Sequence, residues 1–125
     1  MTFQGPHAAY MRTQQREEHD LGDAHNLVSI TLTEFLRSLS ILNTEVDLSH
    51  EVRNRHLARS FTALYILQDS LDFDKGGDIA LNLFRIYEFT RQQLLAYGRR
   101  EEVDLSVPHR AMSEILDAWN AIGQK

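Results

Sequence analysis

The residues with the most chemical potential stand together between Ser70 and Asp78, in the stretch SLDFDKGGD. Three aspartates, a lysine and a glycine pair interrupt long, periodic, apolar sequence. Carboxylates two residues apart, followed by glycine, suggest a calcium loop. Asp72, Asp74 and Gly77 fall at positions 1, 3 and 6 of an EF-hand-like loop. Position 12 of such a loop supplies a bidentate glutamate, and here it is Leu83; position 5 is Gly76, which has no side-chain oxygen. That ligand set is too poor to hold calcium. The six histidines (7, 19, 25, 50, 56, 109) fit no zinc spacing. His50 and His56 are six apart on different sides of a helix, which points to surface or capping roles. A di-iron bundle needs Glu-x-x-His, and no glutamate has a histidine three residues on. There is no glycine-rich phosphate loop and no G-x-S-x-G elbow. The expectation is a protein without catalytic residues, metal or cofactor.

The remaining reading of this stretch is a corner between two helices. A helix ending near Phe73 can be closed by a glycine in the left-handed region, which gives its last carbonyls a partner. Lys75 then lies by the negative end of that helix, and Asp78 in the first turn of the next, where the helix dipole favours an anion. Asp72, Gly76, Gly77 and Asp78 are expected to form this structural corner.

Four amphipathic blocks surround it. Val28, Leu32, Phe35, Leu39 and Leu42 step by 4, 3, 4 and 3, the spacing of one helical face, with Asp23 ahead as a candidate N-cap. The second block runs from about Ser49 to Leu71, with Leu57, Leu64 and Leu71 at seven-residue intervals. The third, about Asp78 to Tyr97, aligns Ile79, Leu83, Ile86, Thr90, Leu94 and Tyr97. The fourth opens at Ser106, tolerates Pro108 in its first turn, and continues through Met112, Ile115, Trp119 and Ile122. Nothing alternates with period two for long enough to build a sheet. The expected fold is all-α: an antiparallel up-down four-helix bundle over residues 23–125, preceded by an N-terminal segment, 1–22. That segment has room for a short mobile helix around Ala8–Glu18, broken at Gly22.

The 125 residues suffice for one domain. A 42% hydrophobic, 25% charged composition is that of a folded globular chain. The net charge of −5 argues against nucleic-acid or anionic-membrane partners, which favour basic surfaces. No cysteine is present, the opening MTFQGPHAAYMR lacks the apolar core of a signal peptide, and no apolar run reaches membrane-spanning length. A cytoplasmic protein is expected.

Specific residues carry a resemblance. Leu71-Asp72-Phe73-Asp74-Lys75-Gly76-Gly77-Asp78-Ile79-Ala80, then Asn82-Leu83 and Ile86-Tyr87-Glu88-Phe89, resembles the flagellar export chaperone FliS family. In that family an LD(F)(E/D)KGGEIA-like corner is followed by NL and LYDY. Ala9-Tyr10 looks like the family's N-terminal AY pair, and Ala118-Trp119 like its C-terminal alanine-tryptophan pair. The chain departs from the pattern at Asp23-Ala24, where the family often has Ser-Pro, and at Glu34-Phe35, near a usual glycine. It departs again at Pro108, where the family's last helix is generally continuous. The resemblance implies a divergent member that binds the disordered C-terminal segment of flagellin, prevents early polymerisation and delivers it to flagellar export gate components. An alternative on the same fold is a regulatory module binding an anti-sigma factor or another flagellar regulator.

A client-binding bundle needs more apolar surface than its own core uses. The second block carries Phe61, Tyr65 and Ile66 beside its main stripe, and the third carries Leu81, Phe84, Phe89 and Leu95. These bands are wider than one stripe. A central helix touching two neighbours also has a broad face, so both readings stand at this point. The expected partner-binding set is Tyr10, Phe61, Tyr65, Leu81, Phe84 and Leu95, with Tyr10 on an N-terminal segment that moves over a groove when the client arrives.

Overall fold

A computed structural model describes residues 6–123, with side chains from Gly22 to Ile122. Among the described residues the regular structure is all helix: α1 (Pro6–Leu42), α2 (His50–Asp69), α3 (Phe73–Gly98) and α4 (Ser106–Gly123). α1 packs on α2 and α4, and α3 packs on the same two, closing a ring of four. The core is built from the stripes that the spacing marks, with Leu32, Phe35, Leu39, Leu64, Leu94 and Met112 fully buried.

Three helix boundaries obey local capping chemistry. Ser49 Oγ accepts from the Val52 amide and starts α2. Asp72 accepts from the amides of Asp74 and Lys75 and starts α3. Asp104 accepts from the Ser106 amide just ahead of α4, and Pro108, buried in the first turn of that helix, costs no amide bond there.

The first helix begins earlier than its capping signals suggest. Asp23 is not its N-cap and Gly22 does not break it: both lie inside α1, which runs unbroken from Pro6. A lone glycine costs a helix only about 1 kcal/mol relative to alanine, too little to stop one that is anchored further on. The second correction concerns the corner. α2 ends at Asp69, with Ser70 as its C-cap, rather than near Phe73. No left-handed glycine closes it; the amide of Ser70 returns to the Ile66 carbonyl instead. The positive-φ glycine lies further on, inside α3: Gly77 has φ 51° and ψ −126°, a kink that separates the turn Phe73–Gly76 from the helix body starting at Asp78. His56 is also not a surface histidine. It is buried between α1 and α2, with Nδ1 3.1 Å from Ser38 Oγ.

Candidate functional site

Side-chain bonds between the helices are unevenly distributed. α1 and α4 are tied near both ends of their contact. His25 and Trp119 stack with ring centroids 4.7 Å apart. His25 Nε2 donates to the Trp119 carbonyl (2.9 Å), and the Trp119 indole N–H donates to the His25 carbonyl (3.0 Å). Ser29 bonds Asn120, and Ser40 lies 2.9 Å from His109 Nε2. α2 and α3 are tied likewise. Gln68 donates to Glu88 at 2.9 Å. Arg53 is buried over the Tyr97 ring and donates to the Tyr97 carbonyl at the end of α3. Among the described residues, no side-chain hydrogen bond joins α3 to α4.

The cleft opens at that junction. A groove of about 610 Å³ runs between α3 and α4, floored by Val28 and Leu32 of α1. Its α4 wall extends from Ala111 to Ile122, so the groove is about 17 Å long, three helical turns. Ile79, Leu83 and Ile86 form the α3 wall, and Ile115, Ala118 and Trp119 face them from α4. Polar groups are confined to the rim, at Ser70, Asp72, Lys75 and Glu114. Tyr87 also lines it, and burial pushes its phenol up to about 12. Ile79 is 73% exposed and Ile122 59%, which is large for isoleucines bordering an apolar cleft. An open apolar surface of this kind is a candidate docking surface.

The sequence-expected binding residues occupy a different face. Tyr65 is 69% exposed on α2, and Leu81 and Phe84 are exposed on α3. Phe61 packs partly on the core, and Leu95 is half-buried. None of these lines the α3–α4 groove. Phe73, at the start of α3, meets Phe84 edge-on with centroids 6.0 Å apart, which extends this aromatic face to the corner. The side chain of Tyr10 lies outside the described residues. Glu88 anchors the rim of the same face. Its bonds to Arg91 and to Gln68 hold its carboxyl down to about 2, so it is an anion at every physiological pH.

Sequence reasoning missed the groove because it aligned Ile79, Leu83 and Ile86 on the main stripe of the third helix and sought the client-binding residues beside that stripe. The fourth block supplies the other wall, with Ile115, Trp119 and Ile122 on one stripe. The corner residues divide their roles. Asp72 caps α3. Gly76 permits a close approach, since a Cβ there would lie 2.8 Å from the Ala80 Cβ. Gly77 permits the kink, and Asp78 opens the helix body beyond it. Among the described residues, no group of histidines and carboxylates could hold a metal ion, and no helix is long and apolar enough to cross a membrane.

Compared with known families, the chain matches the one described as flagellar protein FliS over residues 6–125. No curated protein and no solved structure matches it significantly. With the match extending over nearly the whole chain and the fold a four-helix ring, this protein belongs to the FliS family of flagellar chaperones.

Proposed function

We propose that this protein is a cytosolic export chaperone that holds the disordered C-terminal segment of flagellin, prevents its premature polymerisation and hands it to the flagellar export gate. One observation carries the reading: a three-turn groove with apolar walls lies open in a chain whose own core is already closed by Leu32, Phe35, Leu64 and Leu94. An amphipathic helix of about eleven residues matches its length and presents the stripe it needs. The exposed aromatic face on α2 and α3, with Tyr65, Leu81 and Phe84, offers a second surface over which a longer client can continue. An antiparallel up-and-down arrangement of the helices is part of this reading. It is supported by the pairings of His25 with Trp119 and Ser40 with His109, and of Gln68 with Glu88 and Arg53 with Tyr97. In each pair of ties, one helix is read forwards and its neighbour backwards.

A client that is disordered when free gives up part of its binding free energy to ordering. That offset suits a chaperone, which must later release what it holds. The test is calorimetric titration with a synthetic peptide from the C-terminal end of flagellin. A 1:1 complex with a raised melting temperature is expected. No heat and no thermal shift would remove flagellin as the client and leave a flagellar regulator as the partner to test.

A further inference from the structure

The corner between α2 and α3 has the parts of a moving element. The turn Phe73–Gly76 is self-contained. Asp72 caps it through the amides of Asp74 and Lys75, and the Gly76 amide bonds the Asp72 carbonyl at 2.7 Å. It is set off from the helix body by Gly77, where a φ of 51° lies outside what L side chains readily adopt. A Cβ at Gly77 would meet nothing within 4 Å, so conformation alone, not crowding, calls for glycine there. Asp72, Lys75 and Gly76 all border the groove at the end where Ile79 and Ile122 stand exposed. Among the described residues, the only ring contact of this turn is Phe73 against Phe84, and Phe73 is itself half-exposed.

We infer that Asp72–Gly76 is a hinged lid over one end of the α3–α4 groove, pivoting at the extended Asp72 and at Gly77 while Leu71 stays packed on the core, and latched by Phe73 on Phe84. Because the latch lies on the aromatic α2–α3 face, opening the lid also uncovers part of Phe84, so occupancy of the groove is felt on that second surface. The purpose of such a lid rests on the docking role proposed above. Its motion does not, and is measured on the protein alone.

The chain has no cysteine, so labels can be placed cleanly. Nitroxides at Asp74→Cys and Asp117→Cys report lid to α4, and at Asn82→Cys and Asp117→Cys they report helix body to α4; all three positions are exposed. Double electron–electron resonance on the unliganded protein is expected to show a second, longer component for 74–117 that is absent from 82–117. Removing the latch with Phe73→Ala should raise that component about two- to twelvefold, the range for an edge-to-face aromatic pair. Gly77→Ala disfavours the kinked φ and should move the 74–117 distance to the longer value without shifting 82–117. A 74–117 distribution as narrow as 82–117 in all three proteins overturns the lid, whether or not the flagellin peptide binds.

Discussion

Replacing Ile79 by alanine separates the groove from the aromatic face as the place where a client is held. Ile79 is 73% exposed in the free protein, so about a quarter of its surface is already committed to the fold. Complete burial of an isoleucine is worth about 1.5–3 kcal/mol, so covering what remains is worth about 1–2 kcal/mol. At 1.4 kcal/mol per tenfold change, Ile79→Ala should weaken client binding about five- to thirtyfold. The folded state has little to lose. Alanine regains a few tenths of a kcal/mol in helix propensity, against the small area Ile79 buries. The melting temperature should therefore stay within a few degrees while the dissociation constant rises. Titration calorimetry with the flagellin C-terminal peptide reads the constant, and differential scanning calorimetry on the same sample reads the stability. Tyr65→Ser, on the other face, is the comparison. Binding unchanged within twofold in Ile79→Ala, alongside a large loss in Tyr65→Ser, would refute the groove as the primary site and move it to the α2–α3 face.

Two predictions concern the scaffold. Thr90 is fully buried and its hydroxyl has no hydrogen-bond partner among the described residues, so Thr90→Val, which keeps the shape and removes the orphan oxygen, should stabilise the protein by about 1–2 kcal/mol. Urea unfolding checks it, and a variant less stable than the parent would contradict it. Glu88 is held down to about 2, first by its bond to Arg91 and then by Gln68, so it contributes stability that is complete above the ordinary carboxylate value of 4.5 and fades as pH falls toward 2. The pair is partly exposed, so screening leaves about 1 kcal/mol of this. The parent should lose that much more stability than Glu88→Gln between pH 5 and pH 2, as read from urea midpoints, and parallel pH profiles would contradict the assignment.

What was legible in the sequence was whatever rests on period and local capping. The seven-residue step from Leu57 to Leu64 and the steps from Val28 to Leu42 mark helices because a 3.6-residue repeat admits little else, although Leu71, the next in the series, falls in the corner beyond α2. The ends were harder. Gly22 and Asp23 look like a boundary in a local window, but the helix continues, since one glycine and one small acid cost less than a break would. At the corner, Asp72 and Gly77 both carry helix-terminus signals five residues apart. Local chemistry cannot say which ends a helix and which bends one; here Asp72 caps and Gly77 bends. The groove was beyond such reasoning because it depends on which helices stay apart, and a stripe of Ile79, Leu83 and Ile86 reads the same whether it faces a packed neighbour or a cleft.

The position of the cleft follows from where the polar ties fall. His25, Ser29 and Ser40 commit α4 to α1, and Gln68 and Arg53 commit α3 to α2. Hydrogen bonds are directional, and each fixes the separation of the two helices it joins to within a few tenths of an ångström. α3 and α4 have no such bond among the described residues. Apolar contact, which falls off gradually with distance, alone sets their spacing. A ring of four helices tied along three of its seams therefore yields along the fourth. The seam that yields holds the isoleucine-rich walls, and an inserted apolar helix restores the contacts that the two walls do not make with each other. If the groove is the client site proposed above, it opens without breaking a polar bond between the described residues, and both loading and release then cost little.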